Sequence, residues 1–272
     1  MKLKSSRPDY LLLVLVLLLA VPMTAAADGF SVLVAPPRFE LKASPGDVVR
    51  ERLDINNPGN RPVTFLMRTA DWDMTEDGTA TFHPPALQPG SCRPWVRIER
   101  HRIRLPAQGK KRYRFEIHVP EDTPPGECRT ALMIEAPPED AVEAQAGSIN
   151  LPVKGRIAVV IYLAIADAAP QLQLQDALLD DYNGLLTPFI VVHNSGNAHG
   201  RTTGFVDAVD ANGNRLEFEI TPLPVMPGQT RRVPLFQPVI DRQEPQPFTP
   251  PLELKGTIEW DGGKEKFSRR VE

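Results

Sequence analysis

Beyond residue 30, apolar and polar residues alternate with a period of two along much of the chain. In KKRYRFEIHV, Tyr113, Phe115, Ile117 and Val119 alternate with Arg112, Arg114, Glu116 and His118. That pattern turns one face of a strand to a core and the other to water. DVVRERLDI alternates in the same way and runs into Asn56-Asn57-Pro58-Gly59-Asn60, a strong turn signal. FSVLVAPPRFELKAS, PVTFLMRTADW, PWVRIERHRIRL and RTALMIEAPP read as further strands, separated by Pro45-Gly46, the polar EDGTA tip and Pro106-Ala107-Gln108-Gly109. With SINLPVKGRIAVVIYLAI, residues 148–165, they predict about seven strands in the first half.

The second half repeats the plan. LTPFIVVHNSGNAHGRTTGFVDAV parallels RERLDINNPGNRPVTFLMRT, and LPVMPGQTRRVPLF parallels RLPAQGKKRYRFEI. Asn212-Gly213 and Asp261-Gly262-Gly263 are hairpin turns, where positive φ is needed. The fold class is therefore all-β: two tandem immunoglobulin-like β-sandwich domains, residues 28–166 and 170–272, after a leader. The linker ADAAP is short, so the two should meet at a defined angle with a cleft between them.

The leader changes the compartment. Lys2, Lys4 and Arg7 precede an apolar run from Leu11 to Pro22, closed by Ala25-Ala26-Ala27. This is the order of a cleaved secretory signal peptide, residues 1–27, and the run is shorter than the roughly 20 residues that span a bilayer. No later segment is apolar enough to insert after cleavage, so the periplasm is the expected location. The leader holds three basic residues and one acidic, so its removal takes the formal charge from -3 to -5. A mildly acidic product has no general attraction to nucleic acid. Twenty-nine prolines and eighteen glycines weigh against helices.

Export also bears on Cys92 and Cys128, the two cysteines of the chain. An oxidising compartment predicts that they pair, whereas their separation is far from the close spacing of redox and zinc sites. No nucleophile elbow, phosphate loop or acid–base pair stands out, so the chain reads as a non-enzyme with no cofactor. His193 and His199 flank the turn NSGNAHG, and turn polarity accounts for them without a metal. DWDMTEDG and DANGN lack the register of a calcium loop.

The segment 148–165 carries Pro152 within an otherwise strong strand, which points to a sheet edge. Ile149, Leu151 and Val153 alternate on one face, followed by Lys154 and Arg156. An exposed apolar edge is a hazard unless it is meant to be occupied, as in strand addition to a partner. The other reading is that the three apolar residues line the sandwich core.

At these residues the chain resembles the periplasmic chaperones of chaperone-usher (PapD-like) pilus assembly. The resemblance runs from about Phe30 to Ile165 through APPRFEL, LDINNPGN, LQPGSCRPWVRIERHRIRLPAQGKKRYRFEIHVP and ALMIEAPPED. It implies a protein that stabilises pilin-like subunits by donating an edge strand, with Ile149, Leu151 and Val153 as donor positions. It also implies two basic residues that hold the subunit's C-terminal carboxylate in the interdomain cleft. Carried over by position, these are Arg38 and Arg156, with Lys154 as the substitute if the register differs. An outer-membrane usher is a further candidate partner. The sequence departs from the family where Glu135 and Ala136 precede Pro137-Pro138, and where Pro152 and Gly155 interrupt the donor strand. The competing class is a static envelope or cell-wall binding module with tandem immunoglobulin-like domains and no chaperone activity.

Overall fold

The computed structural model describes residues 32–75, 78–83, 85–137, 155–238 and 245–272 in full, and 142–146 and 149–153 as backbone. The leader 1–27 and Lys154 lie outside the described residues. Among the described residues all regular structure is β, apart from one turn of 3-10 helix at Arg93–Trp95.

The first sandwich packs two layers. One consists of β1 (Leu33–Ala35), β3 (Val48–Asn56), β9 (Lys110–His118) and β7 (Val96–Ile98), in that order across the sheet. The other consists of β2 (Arg38–Ala43), β13 (Arg156–Ile165), β10 (Gly126–Glu135), β4 (Val63–Ala70) and β8 (Arg102–Leu105). The alternation read in β9 is realised: Tyr113, Phe115, Ile117 and Val119 are all buried. They meet Leu53 and Ile55 of β3, Ile134 of β10 and Ile161 and Leu163 of β13 in one apolar core. Phe39 stands edge-to-face on Phe115 with ring centroids 5.2 Å apart, a favoured aromatic geometry. Cys92 and Cys128 form a disulfide that ties the loop before the 3-10 turn to β10.

The first strand is divided between the layers. β1 pairs antiparallel with β3, Leu33 opposite Asn56, while β2 pairs parallel with β13, Arg38 opposite Val160. Pro36 and Pro37 make the transfer, since neither has an N–H to donate to a ladder. The first half thus holds more and shorter strands than the alternation implied. DWDM and its partner form a small hairpin, β5 (Trp72–Met74) with β6 (Ala80–Phe82). The segment 148–165, read as one strand, is cut in two: β12 (Ile149–Val153) pairs with β11 (Val142–Ala146), and β13 begins at Arg156. β11 and β12 form a two-stranded sheet separate from the one that holds β10 and β13.

The second sandwich contains β14 (Leu172–Tyr182), β15 (Leu185–Asn194), β16 (Gly200–Arg201), β17 (Phe205–Val209), β18 (Arg215–Ile220), β19 (Pro224–Val225), β20 (Thr230–Phe236), β21 (Leu252–Trp260) and β22 (Gly263–Val271). Seven of these form one continuous sheet, β14-β15-β20-β18-β17-β21-β22, folded over its own core. β20 makes the fold, because its first part pairs with β15 and its end with β18. Its burial changes accordingly, with Val233, Pro234 and Leu235 buried in succession where alternation would expose one.

Both sandwiches use the same buried asparagine at the end of a strand. Asn57 Nδ2 donates to the carbonyls of Arg61 (2.7 Å) and Pro106 (2.8 Å), and its Oδ1 accepts from the N–H of Gly59. Asn194 Nδ2 donates to the carbonyls of Ala198 and Val225, both at 2.8 Å, and its Oδ1 accepts from the N–H of Gly196 and of Gln171. The two turns paralleled in sequence are therefore held alike, each pinned to the turn that precedes the partner strand.

Candidate functional site: the cleft and the open edge beside it

Between the sandwiches lies a contact built mainly from β2, β10 and β13 on one side and the loop into β16 on the other. Buried Glu127 of β10 accepts a 2.5 Å hydrogen bond from His199 Nδ1 and another from the His199 backbone N–H. The His199 ring stacks on Tyr162 of β13 at 3.9 Å between centroids, and Tyr162 meets Trp72 edge-on at 5.1 Å. Trp72 in turn donates its indole N–H to the carbonyl of Thr130. Met226 of the second sandwich joins Ala70, Trp72, Ala131, Met133 and Tyr162 in a small apolar cluster on the outer face of the first. Burial pushes the Tyr162 hydroxyl up to about 12, so it stays neutral at physiological pH and accepts from Arg201 Nη2.

Beside this contact, one carboxylate oxygen gathers two guanidinium groups and an imidazole. Glu40 Oε1 is 2.7 Å from Arg38 Nε, 3.2 Å from Arg201 Nε and 3.8 Å from His199 Nε2. Partial burial acts to raise the Glu40 carboxyl, but the Arg38 hydrogen bond and the charges of Arg201 and His199 outweigh it and hold the group below its usual range. Arg201 also donates to the carbonyl of Pro222 and lies over the Tyr162 ring. A cavity of about 160 Å³ opens here, bordered by Glu40, Lys42, Glu127, Tyr162, His199 and Arg201.

The open edge follows from the divided first strand. β2 covers β13 only from Val160 to Ile165. Arg156 to Val159 pair with β10 on one side and with nothing on the other among the described residues. Beyond them β12 pairs with β11 alone. The uncovered edge of β13 therefore runs from Arg156 to Val159 and stops where β2 begins at Arg38.

Of the residues singled out in the sequence, Arg38 stands at that junction, half-exposed and bonded to Glu40. Arg156 is placed elsewhere. It lies opposite Glu135, four residues before the partner of Arg38, at the end of β13 away from the second sandwich. The Glu135 carboxylate is held there by Arg68 in a two-bonded fork at 2.6 and 2.7 Å. The structure does not bring Arg38 and Arg156 together, because each residue of strand adds about 3.3 Å. Ile149, Leu151 and Val153 fall on β12, opposite Ala146, Ala144 and Val142, and their side chains lie outside the described residues. They share odd-numbered spacing with Ile157 and Val159, which pack against and into the first core.

Sequence reasoning missed Glu40, Glu127, Tyr162, His199 and Arg201 as a group. Glu40 could have been found, because a residue two positions from Arg38 shares its face of a strand. Tyr162, the one aromatic in an aliphatic strand, was a second signal. His199 is one of the two histidines assigned to turn polarity, and its partner on β10 is 72 residues away.

Among the described residues no group of three or more His, Cys, Asp or Glu side chains could hold a metal ion, and no helix is long and apolar enough to cross a membrane. No family model matches the sequence, and no curated protein matches it. Among solved structures, the chain is similar to the class 5 fimbriae chaperone CfaA, with 14% identity over 89% of this chain and 99% of that one and a TM-score of 0.46. It is similar to the Pseudomonas aeruginosa chaperone CupB2, with 11% identity over 88% and 100% and a TM-score of 0.44. It is also similar to a chain from Salmonella enterica SafA pilin in complex with the SafB chaperone, with 17% identity over 90% and 98% and a TM-score of 0.46.

Proposed function

We propose that the protein is a periplasmic, non-enzymatic chaperone of pilin-like subunits, which it holds by completing their sheet along its own open edge. The observation that carries this reading is the late start of β2 at Arg38, which leaves the backbone of β13 uncovered from Arg156 to Val159 among the described residues. An edge of this kind gives main-chain hydrogen bonds to an incoming strand, and alternate side chains set its face. Ile149, Leu151 and Val153 are the donor positions in this reading.

A strand added in line with β2, and parallel to β13 as β2 is, ends with its C-terminus against Arg38. The terminal carboxylate then meets Arg38 from one side and Arg201, across Glu40, from the other. This replaces Arg156 and Lys154 as the second anchor by a guanidinium from the second sandwich. Guanidinium suits the role, since its fork matches a carboxylate.

The test is hydrogen exchange on the full mature chain, with and without a strand-deficient pilin-like subunit. The amides of Arg156 to Val159 should become protected on capture. Arg38→Ala should cost on the order of 2–5 kcal/mol of binding, and an amidated subunit terminus should remove the difference between variant and wild type. Unchanged exchange at Arg156 to Val159 during capture overturns the strand-addition reading.

A further inference from the structure

Glu40 already fills, from within the chain, the place that strand addition gives to a client's terminal carboxylate. Its Oε1 lies 2.7 Å from Arg38 Nε, 3.2 Å from Arg201 Nε and 3.8 Å from His199 Nε2. The other nitrogens of Arg201 are engaged as well, Nη1 with the Pro222 carbonyl at 2.9 Å and Nη2 with the Tyr162 hydroxyl at 3.5 Å. A second carboxylate brought to the two Nε groups meets the charge of the first, and like charges that share a site repel.

Glu40 is able to give way. Its side chain is 43% exposed, so rotation about its own bonds carries the carboxylate out while β2 keeps its pairing, with Glu40 opposite Tyr162. Lys42 follows two positions later on the same face of β2, about 7 Å along the strand, and borders the same cavity. Its ammonium stands 3.4 Å from Asp261 Oδ2, with both side chains mostly exposed. An ion pair so exposed is weak, which leaves Lys42 available to a displaced Glu40. Glu127 borders the cavity too, but it is buried and bonded twice by His199, and stays fixed.

On the strand-addition reading, we infer that Glu40 is a built-in competitor of the client: it occupies Arg38 and Arg201 in the free protein, passes to Lys42 on capture, and returns as the client's end lifts. The two guanidinium groups are thereby kept aimed at one point before a client arrives. Capture exchanges one carboxylate for another, so the anchor keeps a counter-charge throughout. The exchange makes the grip reversible, since the group that refills the anchor is part of the chain and always at hand.

The test is the rate at which a strand-deficient pilin-like subunit leaves the full mature chain, measured with the subunit's carboxyl terminus free and amidated. Glu40→Gln keeps the shape and an acceptor oxygen but not the charge, and should slow release of the free-carboxylate subunit about tenfold with little change in association. Release of the amidated subunit, which cannot take the place of Glu40, should be unchanged. Glu40→Asp, one methylene shorter, should fall between Glu40→Gln and the wild type. Lys42→Ala should speed release when Glu40 is present and do little in the Glu40→Gln background, as for two residues that act on one another. Hydrogen exchange in the same complexes separates the two levels of the argument. Protection of Arg156 to Val159 together with unchanged or faster release from Glu40→Gln overturns the inference and leaves strand addition standing. So does equal slowing for both forms of the subunit, which would make Glu40 a brace of the junction only. No protection of Arg156 to Val159 removes strand addition itself, and the inference with it.

Discussion

At the level of single residues, the two buried asparagines carry more of the architecture than their number suggests. Asn57 and Asn194 each satisfy two carbonyls and at least one N–H that no strand ladder reaches. Replacing either by alanine leaves those groups buried and unbonded, at about 1–3 kcal/mol for each group. We expect Asn57→Ala and Asn194→Ala each to lower the unfolding midpoint by several degrees, read by denaturation of the purified chain. An unchanged midpoint would show that water replaces the amide. The sequence made these residues legible as turns, through Asn-Pro-Gly and Asn-Ser-Gly, but not as buried knots. What buries them is the turn before β9 or β20, which is remote along the chain.

The strands were the most readable objects, and their limits the least. β9 and β17–β18 follow the alternation and turn chemistry closely, because each has one wet and one dry face. The segment 148–165 misled because Gly155 was read as an interruption within one strand, whereas β13 begins only after it and Pro152 stays inside β12, opposite Glu143. The division of the first strand left only Pro36-Pro37 as its sign. Arg156 was chosen by counting from Pro137-Pro138, and along β13 it stands four residues from Val160, the partner of Arg38. The disulfide was legible from compartment alone, and both sulfurs are buried against the first core. It fastens β10 to the loop that leads to β7, so reduction should lower stability by about 2–4 kcal/mol. Unfolding with and without reductant measures it, and a shift confined to the second sandwich would contradict the placement.

For the molecule as a whole, the junction of the sandwiches matters most, and it was almost invisible in the sequence. Glu40, Glu127, Tyr162, His199 and Arg201 converge from β2, β10, β13 and the β16 region, and no local pattern records such a meeting. The junction should respond to acid with a definite sign. A carboxyl held low in the folded state contributes stability above its unfolded pKa and loses it as pH falls through the folded value. The Glu40 contribution is therefore complete at neutral pH and fades below about pH 4. Small-angle scattering across that range should show the wild type opening between its sandwiches, with a smaller acid dependence in Glu40→Gln. Identical profiles would assign the acid response to other groups.

The divided first strand has a mechanical side. β1 grips the β3 layer through Leu33, Val34 and Ala35, and β2 grips the β13 layer from Arg38 to Ala43, so one length of chain laces the two layers together like a stitch passed through both. Tension on the amino-terminal side meets the shorter grip first. If the pull continued into β2, Val160 to Ile165 would be stripped of their neighbour in turn, and the uncovered edge would lengthen toward the cleft one residue at a time. The reach of that edge is thus adjustable by how much of a single thread remains sewn in.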